Sequence, residues 1–204
     1  MENKKRQTYL ALGIIFLILI IDQLLKVWIK TSMMLGEEIR ITDWFIIHFT
    51  ENPGMAFGME FGGSAGKLIL SLFRIIAIGF MAWYLFSSIK KGTNYYFLTA
   101  LSLILAGALG NLIDSAFYGL IFDHSSFQVA EMFPEGGVDG RFLHGKVVDM
   151  FYFPIINGYY PEWLPKIGGE PFTFFKPVFN IADASITTGV FSFIVFYKKA
   201  MRGA

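Results

Sequence analysis

Four long apolar stretches dominate this 204-residue chain and limit it to the membrane. They lie at about residues 9–29, 68–89, 95–118 and 178–197. Each approaches the roughly 20 residues that a helix needs to cross about 30 Å of hydrocarbon. Hydrophobic residues make up 54% of the chain and charged residues only 16%, a balance too apolar for an ordinary soluble domain of this length. We therefore predict an α-helical polytopic membrane protein with four transmembrane helices.

The charge balance and the cysteine count exclude several classes of function. The net charge of +1 is too small for a nucleic-acid partner. The absence of cysteine excludes disulfides, thiolate nucleophiles and cysteine metal sites. The first apolar stretch is long for a signal peptide and runs into Asp22 and Lys26 without a small-x-small cleavage site, which predicts an uncleaved helix.

Basic residues near the ends of the apolar stretches indicate how the chain is oriented. In a four-span arrangement they fall on one side of the membrane, and they are Lys4, Lys5, Arg6, Lys90, Lys91, Lys198, Lys199 and Arg202. Because such residues are retained in the cytoplasm, both termini should be cytoplasmic. Residues 30–67 and 119–177 then form extracytoplasmic segments of a single membrane domain, 1–204.

Polar residues inside the four stretches all fall near the predicted outer ends. They are Asp22, Lys26, Arg74, Asn111, Asp114, Asn180 and Asp183. Ionisable residues at membrane depth are costly and usually mark functional sites. Polar contacts that only hold helices together are the alternative for any single Asn or Asp among them, and for Asp22 with Lys26 a helix-end ion pair is the stronger alternative.

An N-x-x-D spacing occurs twice and places an amide one helical turn from a carboxylate. The two copies pair Asn111 with Asp114 and Asn180 with Asp183. Glycine and alanine are frequent beside both copies, which favours close approach of the two helices. We therefore expect these two faces to pack together.

The outer segments contain strand-like patterns, one of which includes an acid. Residues 38–41 alternate, and residues 44–50 are β-branched and aromatic, so a small extracytoplasmic β-sheet is predicted. Asp149 lies in the apolar run KVVDMFYF, as on a short strand or a re-entrant stretch. A buried carboxylate there needs a partner, and Lys146 or a proton shared with Asp183 are the two candidates.

Five short motifs together resemble those of the lipoprotein signal peptidases, also called signal peptidase II. In chain order they are IDQLLK (21–26), NPGMAFG (52–58), GNLID (110–114), VVD (147–149) and FNIAD (179–183). No single motif is specific, but their order, spacing and membrane topology form a strong signal over nearly the whole chain.

The resemblance implies a membrane aspartic endopeptidase with Asp149 and Asp183 as its catalytic dyad. It implies supporting roles for Asn111, Asp114 and Asn180, and it places Asp22, Lys26, Asn52 and Gly54 in the motifs around the substrate site. No metal or cofactor is implied.

The family cuts signal peptides from bacterial prolipoproteins just before a diacylglyceryl-modified cysteine, in the outer half of the cytoplasmic membrane. The resemblance therefore implies lipid-modified prolipoprotein substrates, membrane lipids as partners, the bacterial inner membrane as location and inhibition by globomycin.

Two departures from the family pattern accompany this resemblance. The NLID motif is commonly followed by arginine, whereas this chain has Ser115, so any ion pairing must be lost or supplied from elsewhere, with Arg74 and Arg141 as candidates. The outer segments at 119–146 and 154–176 are also longer than in compact members, which predicts additional structure on the outer surface.

Other classes of function predict different sequences. A small ion- or proton-coupled transporter would bury carboxylates near the bilayer midplane, usually within inverted repeats. A metal-dependent hydrolase would need ligands such as His124 or His144 at a recognisable spacing, and no H-E-x-x-H motif occurs. A purely structural scaffold would leave Asp149 unexplained.

Overall fold

The computed structural model describes residues 2–53, 63–138 and 140–200. Helix α1 spans Glu2–Ser32, α2 spans Gly63–Lys91 and α3 spans Tyr95–Ile113. A π-helical turn, Asp114–Tyr118, continues α3 into the single turn α4, Gly119–Ile121. Helix α5 spans Ile181–Val195, and a last turn, α6, spans Tyr197–Ala200.

Three helical segments of the described chain are long and apolar enough to cross a membrane. They are Glu2–Ser32, Gly66–Lys91 and Tyr95–Ile121. The fourth apolar helix, α5, has 15 residues and is shorter than the 178–197 span predicted from the sequence. The helical membrane architecture is thus present, while four complete spans remain a prediction.

Helix α5 begins three residues after the predicted start of the fourth span, for a local reason. Val178–Phe179 form a strand, β6, and the helix begins only at Ile181. Asn180 is the N-cap, and its side chain accepts a hydrogen bond from the backbone N–H of Asp183 at 2.8 Å. Asparagine stabilises a helix as N-cap and is unfavourable in the interior, so the second N-x-x-D motif starts a helix.

The segments predicted to be extracytoplasmic form an antiparallel sheet of four strands in the order β1-β2-β3-β6. Strands β1 (Glu38–Arg40) and β2 (Ile46–Asn52) are those expected from the alternating and β-branched runs, and β3 (Val147–Tyr152) carries Asp149. Asp149 lies opposite Thr50 on β2, and Phe151 lies opposite Phe179 on β6. Because β3 pairs with β6, and β6 ends just before α5, the sheet places Asp149 next to the start of α5.

The two long outer segments have separate structures. Residues 154–176 contain a hairpin of β4 (Ile156–Tyr159) and β5 (Pro171–Phe174). Residues 119–146 fold back onto the end of α1, where the Leu35 N–H donates to the Ser125 carbonyl at 3.0 Å.

Small residues let α3 pack closely against α5, as the glycine and alanine content predicts. A Cβ at Gly107 would lie 2.1 Å from the Ala182 carbonyl oxygen, and one at Gly110 would lie 3.1 Å from the Ala182 Cβ. A hydrophobic core between the sheet and the C-terminal ends of α1 and α3 includes Ile29, Phe49 and Val148. This packing places β3, α3 and α5 around one polar centre.

Candidate active site

Asp149 and Asp183 are brought together at the junction of β3 and α5. Asp149 lies in the middle of β3 with 5% of its surface exposed, and Asp183 lies in the first turn of α5. Asn180 links them, because its Nδ2 donates to Asp149 Oδ1 at 2.7 Å while its Oδ1 accepts from the Asp183 N–H. The two candidate catalytic acids therefore share one buried amide.

Asn111 on α3 fixes the other side of this pair. Its Nδ2 donates to Asp183 Oδ1 at 2.8 Å. Its Oδ1 accepts from Lys26 Nζ at 3.0 Å and from Asn180 Nδ2 at 3.2 Å. These contacts require the amide nitrogen of Asn111 to face Asp183, so the side chain has one orientation.

A fully buried ion cluster, formed by Asp22, Lys26 and Asp114, supports both aspartates. Lys26 Nζ lies 2.8 Å from a carboxylate oxygen of each acid. Asp22 Oδ1 accepts from the Ala182 N–H in α5 at 2.9 Å, and Asp114 Oδ2 accepts from the Val148 N–H in β3 at 3.3 Å. The pair on α1 is thus more than a helix-end contact, since the cluster joins α1 and α3 to both elements that carry the candidate acids.

Sequence reasoning missed Gln23, which completes the cluster. Its Nε2 donates to Asp114 Oδ1 at 2.9 Å and to Asp22 Oδ2 at 3.1 Å, and its Oε1 accepts from the Tyr118 hydroxyl at 3.2 Å. The available signal was an amide inside an apolar span, next to Asp22 in the IDQLLK motif.

The environment of Asp149 favours its protonated form. Burial raises the pKa of Asp149 to about 7, and the nearby charge of Asp183 adds to the rise. The positive charge of Lys26 and the hydrogen bond from Asn180 oppose it. One carboxyl of the pair can therefore hold a proton near neutral pH.

Of the two candidate partners of Asp149, Lys146 is engaged elsewhere, and the pairing with Asp183 stays a prediction. Lys146 Nζ instead contacts Glu51 Oε2 at 3.1 Å. Glu51 also binds the buried Lys30, and both lysines hold the pKa of Glu51 below its usual value although its burial acts in the opposite direction. Asp149 interacts with Asn180 and Asp183.

Arg74, on α2, lies beside Ser115, the residue that follows the NLID motif. Its Nη1 lies 3.5 Å from Ser115 Oγ, and its charge attracts that of Asp183. A cation on a neighbouring helix therefore lies beside the position at which the family commonly has arginine.

Two further site predictions fall at the edge of the described chain. Asn52 ends β2 opposite Val147, two residues from Asp149. Gly54 lies outside the described residues. Their assignment to the substrate site stays a prediction.

The segment 119–146 lines part of a cavity of about 500 Å³ that Asp149 and Asp183 do not line. Its walls include His124 and His144 together with Lys30, Glu51 and Lys146. In the part of the chain that the structure describes, histidine and acidic residues form no group of three that could hold a metal ion. The metal-hydrolase alternative thus has no ligand set among residues 2–53, 63–138 and 140–200.

Comparisons with known proteins agree with the family resemblance of the motifs. A family model for signal peptidase (SPase) II matches residues 14–198. The lipoprotein signal peptidase of Porphyromonas gingivalis is 51% identical over 190 residues, which cover 93% of this chain and 83% of that protein. The lipoprotein signal peptidase of Amoebophilus asiaticus is 38% identical over 192 residues, 92% of this chain and 77% of that protein.

Two solved structures of bacterial membrane enzymes are also similar. One aligns with a TM-score of 0.59 at 27% identity over 94% of this chain and 90% of that chain. The other gives a TM-score of 0.56 at 29% identity over 91% and 90%. These relatives give no support to the transporter alternative. The chain belongs to the signal peptidase II family of bacterial membrane proteases.

Proposed function

We propose that this protein removes signal peptides from diacylglyceryl-modified prolipoproteins, cleaving before the lipidated cysteine with water activated by Asp149 and Asp183. Family membership supports a lipoprotein substrate. The observation that carries the mechanism is the Asn180 amide, which contacts Asp149 through its Nδ2 and the backbone of Asp183 through its Oδ1.

The two carboxyls divide acid and base roles. Two neighbouring carboxyls resist double ionisation, so one is a neutral acid while the other is an anionic base. The base takes a proton from water as the water oxygen bonds to the scissile carbonyl carbon, and the acid donates a hydrogen bond to the carbonyl oxygen. Because the pair titrates as a unit, the resting proton belongs to both groups.

Collapse of the resulting tetrahedral intermediate completes the reaction. The C–N bond breaks, the nitrogen of the lipidated cysteine receives a proton from the pair, and the signal peptide leaves with a new carboxylate. The proton taken from water offsets the one given to the amine, so the pair returns to its single-proton state. No step requires a metal or a cofactor.

Surrounding residues keep the pair in place through this cycle. Asn111 and Asn180 supply amide N–H donors to a carboxylate oxygen of Asp183 and of Asp149. The cluster of Asp22, Lys26 and Asp114 holds the backbone of β3 and α5. We assign these side chains to positioning rather than to proton transfer, and we assign Asn52 and Gly54 to the substrate side of the site.

The bacterial inner membrane is the location that the family and the apolar helices imply. Within it, we propose four spans, cytoplasmic termini and an active site near the outer leaflet, where the diacylglyceryl group of the substrate lies among membrane lipids. Inhibition by globomycin is expected on the basis of the family resemblance.

Cleavage of a lipidated prolipoprotein by the purified, reconstituted enzyme tests the proposal. Asp149→Asn and Asp183→Asn should each lower the cleavage rate by about 10³-fold or more, because each removes an acid–base group. Asp43→Asn, on an exposed turn, is the matched control and should cleave normally. Full activity in either dyad variant would disprove the assignment, and inhibition by a chelator would favour metal catalysis.

A further inference from the structure

One stripe of α2 faces the rest of the protein, and its outer part is polar. Buried positions recur at helical spacing at Ser71, Ile78, Leu85 and Ile89, and Arg74 occupies the same stripe half-buried. An arginine more than one turn inside an apolar span has a high desolvation cost and requires polar neighbours. The contacts of Arg74 therefore indicate why it is there.

These contacts lead from Arg74 to the aspartate pair through Ser115. Arg74 Nη1 lies 3.5 Å from Ser115 Oγ, and Ser115 Oγ donates to the Asn111 carbonyl at 3.0 Å. The Asn111 side chain donates in turn to Asp183 Oδ1. Ser115 lies in the π-helical turn Asp114–Tyr118, and π-turns within α-helices are frequent at functional sites.

Arg74 contributes a positive charge to the surroundings of the aspartate pair. Among the described residues, the charged groups on neighbouring elements include Asp22 and Lys26 of α1, Asp114 of the π-helical turn and Arg74 of α2, together with Glu51 of β2, which binds Lys30 and Lys146. Lys26 contacts two carboxylates at 2.8 Å each, so its charge is balanced within the cluster. Arg74 attracts Asp183, and its Nη1 lies 3.5 Å from the Ser115 hydroxyl.

We propose that Arg74 is a positioning residue for the aspartate pair, anchored by Ser115, whose positive charge beside Asp183 keeps the pair in its reactive single-proton state near neutral pH. This inference rests on the proposed aspartic mechanism. The doubly protonated pair is inactive because it has no ionised carboxylate to act as base. Without the cation of Arg74, this inactive state would persist to higher pH.

The pH dependence of kcat/KM in the reconstituted enzyme tests this role. In Arg74→Gln the acidic limb should move up by about one pH unit, since an opposite charge near a carboxyl shifts its titration by about 1–3 units. Activity should then fall about tenfold on the acidic side and recover at higher pH. Arg74→Lys keeps the charge and should follow the wild-type profile closely.

Lys91→Gln is the matched control, because it removes a cation from the exposed inner end of the same helix. Its profile should equal that of the wild type. An unshifted Arg74→Gln profile would overturn the inference, as would an equal shift in Arg74→Lys and Arg74→Gln.

Ser115→Ala keeps the test decisive if Arg74→Gln does not fold. Loss of the hydroxyl anchor should shift the acidic limb in the same direction by a smaller amount, and no shift would overturn the inference. Failure of the underlying mechanism is distinguishable, because Asp183→Asn would then remain active. If only the Arg74 role is wrong, Asp183→Asn is inactive and the Arg74 variants show no charge-dependent shift.

Discussion

The environment of Asp149 suits catalysis at the expense of stability. The side chain is buried on β3, and burial together with Asp183 raises its pKa to about 7. An acid with a raised folded-state pKa holds its proton more tightly in the folded chain than in the unfolded chain. The protein therefore loses stability as pH rises from the ordinary aspartate range to about 7.

Asp149→Asn should consequently be more stable than the wild type at pH 8. Asparagine is neutral and retains an acceptor for Asn180, so the variant avoids an ionisation cost of up to about 4 kcal/mol. Its thermal unfolding midpoint in detergent should exceed that of the wild type by an amount that grows from pH 5 to pH 7 and then levels off.

Asp43→Asn is again the control for this measurement, because this exposed acid lies away from the buried site and its substitution should leave the unfolding midpoint close to that of the wild type. A wild type more stable than Asp149→Asn at pH 8 would contradict the described environment of Asp149.

At the residue scale, the two acids were easier to predict from the sequence than the residues that form hydrogen bonds with them. Asp149 and Asp183 were recognisable because each interrupts an apolar run. The linking role of Asn180 was not, because it depends on the β6–α5 junction, where Asn180 is an N-cap rather than a helical residue. Gln23 was missed because an amide gives a weaker signal in a span than a charge does.

At the scale of elements, close contact between α3 and α5 fixes the position of Asp183 relative to Asn111. A Cβ at Gly107 would meet the Ala182 carbonyl oxygen at 2.1 Å and Ile186 Cγ1 at 2.7 Å. Backbone atoms cannot move aside without separating the helices. Helix packing and the geometry of the site are therefore coupled through this glycine.

Gly107→Ala should both destabilise the protein and reduce cleavage. Overpacking typically costs about 1–3 kcal/mol, and separation of α3 from α5 would lengthen the contact between Asn111 and Asp183. Thermal unfolding in detergent and the cleavage rate should fall together.

Gly79→Ala on α2 is the matched control, because a Cβ there has no neighbour within 4 Å. It should leave activity unchanged and stability within about 0.5 kcal/mol. Equal effects of the two substitutions would show that helix packing does not position the site.

The elements themselves were largely predictable, and the exceptions have local causes. The strands at 38–40, 46–52 and 147–152 follow the alternating and β-branched runs. The π-helical turn at Asp114–Tyr118 has no sequence period that reveals it. Its carbonyls at Ser115 and Ala116 accept from the N–H groups of Gly145 and Leu143, so the turn depends on contacts with a distant segment.

At the scale of the whole molecule, groups of adjacent basic residues lie at the helix ends opposite the sheet. Lys90 and Lys91 end α2, and the N-terminal basic residues begin α1. The sheet, the β4–β5 hairpin and the segment 119–146 follow the opposite helix ends. The positive-inside rule therefore predicts that the sheet lies at the outer face of the membrane.

Single-cysteine labelling can test this orientation cleanly because the chain contains no cysteine. An impermeant maleimide should label Phe127→Cys in intact spheroplasts, since that side chain is 99% exposed in the outer segment. Lys91→Cys, also exposed, should be labelled only after permeabilisation. The reverse pattern would contradict the orientation.

The central claim is that Asp149 and Asp183 act as one unit, and a double-mutant comparison of cleavage rates tests it most directly. Groups that share one catalytic task show non-additive losses. Asp149→Asn, Asp183→Asn and the double variant should therefore have residual rates within about tenfold of one another, each about 10³-fold or more below the wild type. Substantial activity in either single variant, or losses that multiply in the double variant, would contradict the account.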